Sequence, residues 1–167
     1  AFGAAPGISA EAETYNGTAW TTTTEGNTAR RSAAGGGIQT SALAYGGYTT
    51  AYVSITESWN GSAWSEVSDL TAGIRSSLGG GGTSNSDQLA FGGYGGSPGS
   101  ARFDNTEYFD GSSWTELADL SGARSATNSL PSAPTVAQLY AGGYTPPTNY
   151  VTTTEEFTGK TETVNVK

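Results

Sequence analysis

The chain of 167 residues contains no histidine, no cysteine and no methionine. Without His or Cys, the Ser-His-Asp and Cys-His arrangements of nucleophilic catalysis cannot be assembled. The commonest transition-metal ligands are missing for the same reason. Disulfides and thiolate chemistry go with them. The lack of cysteine leaves the compartment open, and is compatible with a particle or surface protein that meets any redox environment. Charge is scarce as well: Asp, Glu, Lys and Arg make up 13% of the chain, about half the usual share. Lys and Arg number 7 and are scattered, against 15 acids, for a formal net charge of -8. A nucleic-acid backbone or an anionic membrane surface would be repelled, and solubility alone accounts for the acidity. No segment approaches the ~20 apolar residues that span a bilayer. The first ten residues lack the basic start and apolar run of a secretory signal. Ala-Glu-Lys-Leu periodicity, the mark of a helical bundle, is absent.

What is present is glycine, 25 residues of it, with Thr and Ser at most polar positions. This composition suits many short strands with uncharged polar faces. Aligned with itself, the chain repeats. Leu43-Ala44-Tyr45-Gly46-Gly47-Tyr48 returns as Leu89-Ala90-Phe91-Gly92-Gly93-Tyr94 and as Leu139-Tyr140-Ala141-Gly142-Gly143-Tyr144, and Ala1-Phe2-Gly3 is a truncated copy. A second landmark runs Glu13-Thr14-Tyr15-Asn16-Gly17 to Trp20, Glu57-Ser58-Trp59-Asn60-Gly61 to Trp64, and Glu107-Tyr108-Phe109-Asp110-Gly111 to Trp114. A degraded copy begins at Glu155 and has no Trp. A third landmark is an arginine after each Trp segment: Arg30, Arg75 and Arg124. Trp20 and Trp64 lie 44 residues apart, Trp64 and Trp114 lie 50 apart, and a period of that size belongs to propeller blades.

Each repeat reads as four strands. The apolar triplet before the Gly pair is one. The alternating stretch at 54–59 is a second. Asn60-Gly61 and Asp110-Gly111 then predict tight hairpin turns with positive φ at both residues, leading into strands that open at Trp64 and Trp114. The Gly-rich runs at 33–40 and 78–83 are a fourth. Interior glycine weakens an ordinary strand, but it fits an innermost strand crowded around an axis, with the Trp filling the wider space between outer strands. The expected fold is all-β: a β-propeller of four-stranded blades with about 3.5 repeats, at approximately 1–31, 32–75, 76–124 and 125–167, the whole chain 1–167 being one domain or part of one.

The Gly pair after an apolar strand, an aromatic further on and then a Trp resembles the kelch repeat. The stretch Glu-Tyr-Phe-Asp-Gly-Ser-Ser-Trp-Thr-Glu-Leu at 107–117 is very close to it. Trp114, Leu117, Leu120 and Arg124 resemble the tail of a kelch repeat, as do Trp64, Val67, Leu70 and Arg75. The Thr-, Ser- and Gly-rich flavour is similar to kelch-like repeats of bacteriophage virion proteins, which implies a fibre, appendage or capsid-surface protein. Kelch propellers usually have six or seven blades, and this sequence opens and ends inside a repeat. Missing chain, or closure by a second copy, is therefore expected, because raw sheet edges recruit other strands. Some kelch propellers carry a copper oxidase site built on His and a Cys-linked Tyr; this chain has neither His nor Cys. No metal or cofactor is expected.

Other chemistry is limited to carboxylates. A glycosidase-like pair is formally available, but Glu13, Glu57, Glu107 and Glu155 share one repeat position, which argues for a structural job such as meeting the repeated arginines. Glu25, Glu66, Glu116 and Asp87 are the remaining candidates. The stretch 110–114 resembles the structural Asp-box hairpin of sialidase propellers, one residue short. Asn16-Gly17-Thr18 and Asn60-Gly61-Ser62 are formal glycosylation acceptors, read here as turns. Asp104, Asn105 and Asp110 follow no EF-hand pattern.

The most variable segments, 48–55, 94–105 and 144–153, open with Tyr48, Tyr94 and Tyr144 and continue with Tyr52, Phe103 and Tyr150. Variable loops on a repeated scaffold are common recognition sites, and aromatic faces suit sugars or a protein partner. The competing reading is packing between blades. The function expected is a non-catalytic structural and adhesive module on a virion or other extracellular surface, binding glycans or a neighbouring protein, with self-association to complete the ring. The alternatives are an intracellular kelch adaptor and a glycosidase-like propeller.

Overall fold

The computed structural model describes residues 7–72, 75–76, 78–96, 101–125, 128–129, 134–145 and 149–159. Ala1-Phe2-Gly3 and the segment 161–164 lie outside the described residues, as does the side chain of Arg75. Every described regular element is a strand. Strands β1 (Glu13–Tyr15) and β2 (Trp20–Thr22) form a two-stranded sheet. Strands β3 (Ala34–Ile38), β4 (Ser41–Tyr45), β5 (Thr56–Trp59) and β6 (Trp64–Val67) form a four-stranded antiparallel sheet in chain order. After β7 (Arg75–Ser76) come β8 (Gly79–Ser84) and β9 (Asp87–Phe91), the short strands β10 (Tyr94–Gly95) and β11 (Ala101–Arg102), then β12 (Thr106–Phe109) and β13 (Trp114–Glu116). Strands β8, β9, β12 and β13 repeat the four-stranded sheet, while β7, β10 and β11 make a small sheet of their own. The last repeat gives β14 (Asn128–Ser129), β15 (Gln138–Ala141), the pair β16 (Tyr144–Thr145) and β17 (Asn149–Tyr150), and β18 (Thr154–Phe157), with β14, β15 and β18 in one sheet.

Two-residue alternation decides what each sheet buries. Leu43 and Tyr45 of β4 join Leu70, Leu78, Ala90, Phe109 and Trp114 in one core between the second and third sheets. Leu89 and Phe91 of β9 face the other way and meet Tyr140 in a second core. Tyr45 and Trp114 are edge to face at 5.1 Å, and Phe91 and Tyr140 at 5.0 Å. The Tyr45 hydroxyl donates to the Leu89 carbonyl at 2.8 Å, stitching sheet to sheet. The Gly-rich strands β3 and β8 of neighbouring sheets approach within 8 Å at Cα. A Cβ on Gly80 would collide with the Tyr45 hydroxyl and the Leu89 carbonyl, so glycine is what leaves room for that hydrogen bond.

Two expectations need correction. The turns at Asn60-Gly61 and Asp110-Gly111 are not two-residue turns with both residues at positive φ. They are four-residue loops in which only glycine is left-handed, at 97° for Gly61 and 98° for Gly111. The side chain holds the loop instead: Asn60 Oδ1 accepts from the N–H of Ser62 and Ala63 at 3.0 Å each. Asp110 Oδ1 does the same for Ser112 and Ser113, and Asn16 Oδ1 for Thr18 and Ala19. The tryptophans also differ among themselves. Trp114 is buried and donates back to Thr56 Oγ1 of the preceding repeat at 3.1 Å. Trp64 reaches back to the Thr24 carbonyl at 3.1 Å. Trp20 is 56% exposed and lines a groove rather than a filled core.

Candidate functional site

The repeated glutamates lie at one register position on β5, β12 and β18, and each receives the connection arriving from the preceding repeat. Glu57 and Arg30 are fully buried and joined Oε2 to Nη1 at 2.6 Å. Glu57 Oε1 also accepts the N–H of Asn27 at 2.6 Å and of Thr28 at 3.2 Å, while Arg30 Nη2 donates to the Ala44 carbonyl at 3.2 Å. Burial pulls the Arg30 guanidinium below its ordinary value, and the charge and hydrogen bond of Glu57 oppose that pull. Glu107 accepts from the Thr71 N–H and hydroxyl at 2.7 Å each and from the Ala72 N–H at 3.2 Å. Glu155 accepts from Ser121 N–H and hydroxyl and pairs with Arg124. Glu13 holds the same place on β1, opposite Thr22. These carboxylates tie the connecting segments down.

Directly after β4, β9 and β15, the Gly pairs turn the chain out of the main sheets. Gly46, Gly92 and Gly142 sit at φ of 62°, 61° and 70°, and Gly47, Gly93 and Gly143 at 112°, 112° and 109°. A Cβ on Gly92 would meet the Arg124 carbonyl at 2.7 Å. A side chain at either position would therefore be strained by φ or by contact. Beyond each pair the chain forms a small antiparallel rung of three residues. Tyr48 bridges Arg31 and Tyr52, Tyr94 pairs with Ser76 and Arg102, and Tyr144 with Ser125 and Tyr150.

The rungs touch one another. Arg31 lies over the Tyr48 ring at 4.8 Å, Tyr48 meets Tyr52 at 5.2 Å, and Tyr52 meets Tyr94 of the next repeat at 5.4 Å. Arg102 lies 5.0 Å from the Tyr94 ring and 4.5 Å from the Tyr144 ring of the repeat after, and Tyr144 meets Tyr150 at 5.5 Å. Five of the six aromatic residues singled out in the variable segments thus belong to a single ladder crossing three repeats. Tyr150 ends it with 86% of its surface exposed. For Phe103 it is the backbone that is placed: it joins Gly93 and Arg124, bonding each at 3.1 Å. Burial raises the Tyr52 hydroxyl above the ordinary tyrosine range, with the hydrogen bond to Tyr94 adding to it. Sequence reasoning missed Arg31 and Arg102. The signal available was that the stretches 26–56, 88–103 and 120–154, which hold the ladder's tyrosines and arginines, carry no acid.

A groove of about 820 Å³ separates the first hairpin from the second sheet, walled by Tyr15, Trp20, Gly35, Gly37, Trp59 and Trp64 among others. It lies beside the sheet that has two strands where the next two have four.

The molecule is a repeat protein of small antiparallel sheets in which repeated carboxylates, buried at Glu57 and Glu107, hold the connections. No family model matches the chain, and no curated protein does. Among solved structures 105 chains match. The structure of YjhT superimposes with a TM-score of 0.68 at 15% identity, over 81% of this chain and 45% of that one. The chain therefore shares its fold with YjhT over less than half of that chain's length.

Proposed function

We propose that the chain is a non-catalytic structural and adhesive module, a kelch-like β-propeller or part of one, displayed on a virion or other extracellular surface. The observation that carries this reading is the tyrosine–arginine ladder: equivalent residues of three repeats form one continuous aromatic row at the end of the sheets where the segments vary most. Such a row offers ring faces and hydroxyls to glycans or to a neighbouring protein. Against the glycosidase alternative stand Glu57, Glu107 and Glu155, whose oxygens are committed to backbone and arginine donors.

The reading includes a second copy of this chain as partner. The groove beside the two-stranded sheet has the Gly-rich face of β3 as one wall, and in the next two sheets that face meets another inner strand. A second copy supplying strands there would bring the first sheet toward the others and cover Trp20. A glycan array on the full chain tests the adhesive role: selective retention of some glycans is expected, and a blank array together with failure to retain any particle protein would contradict it.

A further inference from the structure

We propose that the ladder face takes a carboxylated polysaccharide, with tyrosine rings against sugar rings and the guanidiniums of Arg102 and Arg31 on the carboxylates. This rests on the reading of the ladder as the ligand face and names its ligand class.

The charge distribution is the first support. The chain holds 15 acids, yet the tyrosines and arginines of the ladder all fall within three acid-free stretches, 26–56, 88–103 and 120–154. In a protein of net charge -8, the ladder's own strands thus carry no carboxylate close in sequence. The arginines are the second. Arg30 and Arg124 are matched with Glu57 and Glu155. Arg31 and Arg102 are matched with no carboxylate among the described residues, and of the acids only Glu162 lies outside them. Both rest on tyrosine rings instead. Arg102 Nε is buried with no acceptor, so the fold supplies this guanidinium with rings and no anion. A planar guanidinium with open donors matches a carboxylate two bonds at a time. The repetition is the third. Tyr48, Tyr94 and Tyr144 occupy equivalent places on successive rungs, which suits a polymer whose own rings repeat.

The test is calorimetric titration of the full chain with oligogalacturonate, with a neutral dextrin of equal length and with a sulfated dextran, at low and high salt. Binding of the galacturonate alone is expected, weakening ~tenfold or more as salt shortens the reach of the charges. Arg102→Gln should weaken it about tenfold, the loss of one strong charged contact, and Arg31→Gln less. Should Arg102→Gln fail to fold, the exposed Arg31→Gln variant and the salt series on the unaltered chain carry the test. Equal, salt-independent binding of the dextrin would overturn the carboxylate and leave a glycan face. Equal binding of the sulfated polymer would overturn it in favour of any polyanion. Binding of none would overturn this inference, while the adhesive reading beneath it falls only if the glycan array is blank and no particle protein is retained.

Discussion

Glu57 has no exposed surface and receives two backbone donors and a guanidinium. Removing one partner of a buried pair strands the other charge, which costs about 3–5 kcal/mol. Glu57→Ala should lose that much by urea denaturation, and a loss under about 1 kcal/mol, the value of an exposed pair, would show that the site is solvated. Gly80 poses a steric version of the same test. Gly80→Ala forces a methyl into the Tyr45 hydroxyl and should cost about 1–3 kcal/mol as an overpacked core, read from the same denaturation curves. Tyr108 brings in pH. Burial and then Asp87 raise its hydroxyl above the ordinary value. The sign follows: the folded state holds the proton more tightly, so this stability is complete below the unfolded value near ~10 and is lost as pH climbs toward the folded one. Absorbance at tyrosinate wavelengths should show a late-titrating hydroxyl that Tyr108→Phe removes.

The strands were legible because their signals are local. Apolar triplets before the Gly pairs became the ends of β4 and β9, and Trp64 and Trp114 open β6 and β13. The Gly-rich runs were legible for a steric reason, since close approach of two backbones leaves no room for Cβ. The turns were only half legible: Asn-Gly marks a bend, but whether the side chain or a positive φ holds it depends on loop length, which the strand ends decide. Asp110→Ala removes two accepted N–H bonds and should lower stability by about 1 kcal/mol at this exposed loop, measurable as a shift in the denaturation midpoint. The small sheets of β7, β10, β11, β16 and β17 could not be read. They are two-residue strands, all but β7 in variable segments, too short for a periodic signal. Tyr48, Tyr52, Tyr94, Tyr144 and Tyr150 stood out as aromatics in variable segments, while Arg31 and Arg102 gained meaning only from rings up to 42 residues of chain away, the span from Arg102 to Tyr144.

At the scale of the whole molecule, the groove beside the two-stranded first sheet is where the proposed second copy would sit. Light scattering on the chain alone should give a dimer or larger assembly, and a stable monomer would contradict the proposed partner. The ladder is the central claim, and Tyr150 isolates it, because its ring is 86% exposed and contributes little burial to stability. The measurement is glycan-array binding by the unaltered chain and by Tyr150→Ala, with thermal midpoints recorded for both. An unchanged midpoint with binding weakened about tenfold, the loss of one stacked ring at ~1–1.5 kcal/mol, is the predicted result. Equal binding by the variant would contradict it and leave the tyrosines as packing between repeats.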